Sequence, residues 1–133
     1  MSKLLAAVLT VFTLASAQAK ETITIFYAWG PGDSVANYHR TLAAEANKIQ
    51  DKYNFIFDTK PGAGGAIGAN IVAKAPADGY TLLWGSAGPV AINVSLYRNT
   101  PYDPVKDFAP VMQTVATQII LVLNAALPPQ SVK

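Results

Sequence analysis

YNFIFDTKPGAGGAIGANIVAKAPADGYTLLW, residues 53–84, decides the fold class. It opens on YNFIFD (53–58), an aromatic and β-branched run that predicts a strand. KPGAGG (60–65) follows without a break, and the Ala- and Ile-rich stretch 66–75 then predicts a helix with Gly68 as its one weak position. Pro76-Ala77-Asp78-Gly79 stops that helix and turns the chain into YTLLW, a strand over 80–84. A strand, a helix and a second strand in so short a span form one βαβ unit, and both strands are apolar enough to lie under helices on two faces.

Outward from this unit, the same alternation continues towards the N-terminus. TITIFYA (22–28) predicts a strand running into the turn-forming Trp29-Gly30-Pro31-Gly32. Asp33 or Ser34 can cap the helix after it. In that helix Val35, Tyr38, Leu42, Ala46 and Ile49 recur at spacings of three and four and predict the core face, with Asp51-Lys52 at its end. On the C-terminal side, Gly85-Ser86-Ala87-Gly88-Pro89 forms a third glycine-containing loop. A short helix over 90–97 and two further strands, over 110–115 and 118–123, are predicted. The class is α/β, a largely parallel sheet flanked by helices.

Residues 1–19 read as a secretory signal: Lys3 is the basic start, 4–15 is uncharged and apolar, and Ala17-Gln18-Ala19 supplies the small residues for cleavage after Ala19. Ala15-Ser16-Ala17 is a second cleavage candidate. The apolar run is short for a membrane anchor, which needs about 20 residues. What remains after cleavage suffices for one domain. A formal charge of +2, with Lys3 in the signal, leaves no basic tract for nucleic acid. The absence of cysteine excludes disulfides, thiolate chemistry and cysteine-held zinc.

Three successive predicted strands each end in a small-residue loop. If the strands are parallel, loops 29–34, 61–66 and 86–89 gather at one sheet edge, where open α/β sheets bind ligands. Glycines there let backbone N–H groups approach a bound oxygen, so the site suits a carboxylate without an arginine. Each loop also has a purely structural reading as α/β punctuation. Trp29 is either a pocket wall or a cap on the core. Asp33 is either a ligand group or a helix cap, and Ser86 either donates to a ligand or bonds its own backbone. The run from Gly62 to Gly68 fits G-x-G-x-x-x-G rather than a dinucleotide fingerprint, and no phosphate loop is present. His39, the only histidine, lies inside the first helix as a structural residue, and the carboxylates show no metal-loop spacing.

Four stretches then resemble, in order, the extracytoplasmic receptors of tripartite tricarboxylate transporters, often called the Bug family. KPGAGGAIGANIVAKAPADGYTLLWGS (60–86) is the strongest match and AINVSLYRNTPYDPVKDFAPV (91–111) the next. GPGDSVANYHR (30–40) matches more loosely, and LPPQSVK (127–133) is similar to the start of a further helix. The resemblance implies a two-lobed, periplasmic, non-enzymatic binding protein. Such a receptor takes no cofactor, captures small carboxylate or amino-acid solutes, and delivers them to membrane permease subunits. On this basis residues 20–133 are expected to hold an incomplete first lobe, part of a longer parent. The ligand wall carried over by the resemblance comprises Trp29, Gly30, Asp33, Ser34, Gly64, Gly65, Ala66, Ser86, Ala87 and Gly88. The sequence departs from the family where Ala28-Trp29 stands for a Pro-Phe pair, Asp33 for a glycine and Ala36 for an aspartate. Two other classes compete: a single-lobe periplasmic interaction or sensor module, and a serine-dependent hydrolase pairing Ser86 or Ser34 with His39.

Overall fold

The computed structural model describes residues 20–126; the signal and the 127–133 match lie outside the described residues. Strand β1 (Glu21–Tyr27) leads through the 28–33 loop into helix α1 (Ser34–Ile49). Asp33 is the N-cap, with extended backbone and a carboxylate that accepts from the Ala36 N–H. Strand β2 (Tyr53–Thr59), a tight 3₁₀ turn (Ala63–Gly65) and helix α2 (Ala66–Ala73) follow. Strand β3 (Thr81–Trp84) leads to a π-helical turn (Gly88–Ile92) continuous with helix α3 (Asn93–Leu96).

The sheet is parallel throughout, in the order β2-β1-β3. Tyr27 lies opposite both Thr59 and Trp84, so the three strands end level and their following loops start from one edge. Adjacent residues of β3 identify the layers. Leu83 packs against the Ala66, Ala69 and Tyr102 cluster of the α2 side, whereas the Trp84 ring stacks on His39 of α1. Neighbouring strand residues point to opposite faces, so α1 and α2 cover opposite sides of the sheet. This reversal of direction makes the gap between the ends of β1 and β3 a topological switch point.

Three expectations need correction. No strand forms over 110–115 or 118–123: residues 109–124 are irregular and largely exposed, with Ile119 98% accessible. A β-branched run signals a strand only when a neighbouring strand accepts its hydrogen bonds, and here none lies alongside. The buried face of α1 is Ala36, His39 and Ala43, not the larger apolar set; Tyr38, Leu42 and Ile49 are exposed. Alanines let α1 lie close to the sheet, and the imidazole fills the wide gap among rings. Finally, α2 ends at Ala73 rather than at 75.

The outer edge of β2 is closed by side chains. Asn47 exchanges two hydrogen bonds with the backbone of Phe55, at 2.7 and 2.9 Å, and Gln50 does the same with Tyr53, both at 2.7 Å. Two side-chain amides, Asn47 of α1 and Gln50 just past its end, thus imitate a neighbouring strand and satisfy groups that would otherwise pair with another chain.

Candidate ligand site at the strand ends

The second loop is shaped by four consecutive residues with positive φ: Gly62 (131°), Ala63 (48°), Gly64 (61°) and Gly65 (88°). Only glycine takes such angles freely, and Ala63 is the single side chain placed there. The turn engages the Gly65, Ala66 and Ile67 amides internally, on Gly62 O and Ala63 O. The amides of Ala63 and Gly64 have no hydrogen-bond partner among the described residues. Of the Gly64, Gly65 and Ala66 positions that the resemblance assigns to the ligand wall, Gly65 and Ala66 thus spend their N–H groups inside the turn, and the Gly64 N–H does not.

Loops one and three close on this turn. A Cβ at Gly65 would sit 3.2 Å from Ala28 Cβ and from Pro89 Cγ, so Gly65 lies where all three loops meet. Buried Asn93 of α3 donates to Gly64 O at 2.9 Å. The Trp29 indole N–H donates to Ser86 Oγ at 2.7 Å, bridging the ends of β1 and β3. Its ring rests on Gly88, where an added Cβ would approach Trp29 Cζ2 to 3.2 Å. Tyr102, buried, donates to Pro89 O at 2.7 Å and holds the third loop from below.

Of the predicted site residues, Trp29, Gly64, Gly65, Ala66, Ser86 and Gly88 are brought together. Gly30 and Ala87 flank them in their loops, and Ser34 is exposed at the start of α1. Asp33 is engaged elsewhere: its two oxygens accept from the Ala36 N–H and from the Tyr27 hydroxyl, the latter at 3.0 Å. Burial and the neighbouring Asp33 charge push the Tyr27 phenol up to about 12, so it remains a proton donor to the carboxylate. Asn93 was not singled out from sequence, because a polar residue in a short helix carries no signal until its backbone partner is known. His39 is buried, its Nε2 lies 3.4 Å from Thr114 Oγ1, and neither Ser34 nor Ser86 hydrogen-bonds to it. No group of three metal-ligating side chains exists among the described residues.

This edge geometry accompanies a sequence match. The family model described as the tripartite tricarboxylate transporter family receptor matches residues 39–133. The chain belongs to that receptor family. A UPF0065 protein of Bordetella bronchiseptica is 32% identical over 98% of this chain and 40% of its own length. Protein BugT of Bordetella pertussis is 35% identical over 79% of the chain and 32% of BugT. The chain therefore spans well under half the length of these curated receptor-family relatives. A solved periplasmic transporter superposes on 68% of the chain and 30% of its own, with a TM-score of 0.60 and 32% identity. An R. palustris protein solved with adipate gives a TM-score of 0.59 at 33% identity, over 66% of the chain and 29% of its own.

Proposed function

We propose that this chain supplies one wall of a periplasmic solute-binding receptor that captures a small carboxylate-bearing solute for a membrane permease. In this reading residues 1–19 are the export signal and residues 20–133 form part of the first lobe of a two-lobed protein. It binds and releases its solute and carries out no chemistry on it. The observation that supports this best is the meeting of three loops at the β1/β3 switch point. There the amides of Ala63 and Gly64 and the Ser86 hydroxyl are gathered. Backbone donors at a helix start suit a carboxylate oxygen. The adipate bound by the R. palustris neighbour is a solute of this kind.

Titration of the ¹⁵N-labelled full chain with adipate, citrate and glutamate, followed by amide chemical shifts, tests the assignment. Millimolar acid is expected to move the Ala63, Gly64, Ser86 and Gly88 signals together and to leave those of α1's outer face in place. A loop edge that responds to none of the acids overturns the reading.

A further inference from the structure

Three consecutive peptide planes build the left-handed turn, and each is held by its carbonyl. Gly62 O accepts from the Gly65 N–H at 2.9 Å and Ala63 O from the Ala66 N–H, both within the turn. Gly64 O accepts instead from the Asn93 side-chain amide of α3 at 2.9 Å, and no backbone donor reaches it among the described residues. A planar trans peptide carries its N–H opposite its C=O. The Gly64 oxygen and the Gly65 N–H that closes the turn on Gly62 are therefore two ends of one rigid unit. Glycine stands on both sides of that plane. Turning it over changes only ψ of Gly64 and φ of Gly65, which glycine tolerates in either sense. It also carries Gly65 from a φ of 88° into the region open to every residue. The local sequence thus leaves this plane free to invert, and the inverted carbonyl would face Gly62 O, acceptor against acceptor.

Asn93 is placed to prevent this inversion. It is 3% exposed, and its own carbonyl accepts from the Tyr97 N–H at 2.9 Å and the Thr100 hydroxyl at 3.2 Å, so its side chain leaves a fixed backbone. The Tyr97 hydroxyl, one helical turn on, lies over Gly64, where an added Cβ would come within 2.8 Å of it. We propose that Asn93 is a positioning residue: its amide holds the Gly64–Gly65 peptide in the one orientation that keeps the turn closed and the Ala63 and Gly64 N–H groups available to a solute oxygen. This rests on the solute-capture reading above. The anchor comes from outside the turn because two adjacent glycines supply none of their own. With the amide gone, the plane inverts, the Gly65 N–H leaves Gly62 O, and the neighbouring donors lose their aim.

The test uses the full ¹⁵N-labelled chain at neutral pH. Asn93→Leu fills the site without a donor, and Asn93→Ala empties it. If the amide acts as a donor, both variants should speed exchange of the Gly65 N–H by about tenfold, the size of one net hydrogen bond. Both should also shift the Gly64 and Gly65 signals, with those of β1 unmoved, and weaken sodium adipate by about the same factor. Asn93→Leu with wild-type Gly65 exchange would show that Asn93 only fills space and would overturn the proposal. So would a released Gly65 with adipate affinity unchanged. Should neither variant fold, the wild-type chain decides: the Asn93 side-chain N–H is expected downfield of those of exposed Asn99 and Asn124 and slower to exchange. An Asn93 amide that exchanges as fast as those two overturns the proposal. A released Gly65 in the variants of a chain whose wild-type form ignores adipate overturns solute capture, and the positioning role with it. The two failures are therefore distinguishable.

Discussion

His39 shows how one side chain couples the sheet to the segment that crosses it. Its ring stacks on Trp84 at a centroid distance of 3.8 Å, meets Tyr27 edge-on and approaches Thr114 through Nε2. Trp84 Nε1 donates to the same Thr114 hydroxyl at 3.0 Å, and the Tyr38 hydroxyl reaches the Thr114 carbonyl at 3.5 Å. Nδ1 is buried and has no hydrogen-bond partner among the described residues. Burial holds the imidazole below its ordinary value of 6.5, and the Asp33 charge opposes this only in part. The fold thus binds the neutral ring. As pH falls through about 6.5 the unfolded chain takes up a proton that the folded chain resists, so stability falls until the lower, folded value is passed. Above about pH 7 the contribution is constant. Asp58 and Asp103 are held below the usual carboxylate range, Asp58 by Lys60 and Asp103 by Lys106, so their losses begin at lower pH. Since His39 is the only histidine, urea midpoints measured between about pH 7 and 5 isolate it. The wild-type midpoint should drop across this range and that of His39→Gln should stay level; a flat wild-type profile would refute the coupling.

At the scale of elements, α2 depends on Gly68, which the sequence presents only as a poor helix former. An added Cβ there would lie 2.9 Å from Lys60 O and 3.0 Å from Ala28 Cα, both backbone atoms that cannot swing aside. Glycine's missing side chain is what lets α2 seat on the end of β1. In a free helix alanine would gain about 1 kcal/mol over glycine, but overpacking costs typically about 1–3 kcal/mol. Gly68→Ala is therefore expected to destabilise the chain, and the Gly65 contact with Ala28 and Pro89 should loosen with it. Thermal melting and the Gly64 and Gly65 amide shifts report the two effects; an unchanged or higher melting temperature would show that α2 can shift without loss. The case also marks what was legible in sequence. The first three strands and the two helices between them could be read because periodicity and glycine–proline punctuation are local properties, whereas the strands predicted over 110–115 and 118–123 lack the neighbour that a local pattern cannot supply. So could the grouping of the three loops, since parallel strands place their ends on one edge. The face of α1 could not, because small alanines and a histidine outranked Tyr38, Leu42 and Ile49 for a reason lodged in the aromatic rings of other elements. Nor could the use of Asp33 by Tyr27, or the inward turn of the Gly65 and Ala66 amides. Both depend on dihedral angles and neighbours that a linear pattern does not contain.

Across the whole molecule, the two edges of the sheet differ. Asn47 and Gln50 close the β2 edge, whereas no strand pairs with the far side of β3 among the described residues. Beyond the Thr114 anchor lies QIILVL (118–123), uncharged, β-branched and free of proline, with Ile119 98%, Ile120 75% and Val122 79% accessible. A run of this composition has high strand propensity and unpaired backbone groups, the combination that promotes pairing between chains. Its apolar atoms also add to the exposed Val111 and Met112 on the same irregular segment, a larger concentration than scattered surface hydrophobes produce. The chain by itself should therefore enhance the fluorescence of a hydrophobic dye and associate with rising concentration in sedimentation velocity. Ile120→Lys places a charge in the middle of the run and should suppress both, with far-ultraviolet circular dichroism unchanged because residue 120 belongs to no helix or strand. Asn47→Leu provides the contrast. Removing the amide exposes the Phe55 N–H and carbonyl, so association should increase through an edge that the native helix blocks. A wild-type chain that stays monomeric without dye binding would show that the run is covered in solution, and association unaffected by Ile120→Lys would place the sticky surface elsewhere.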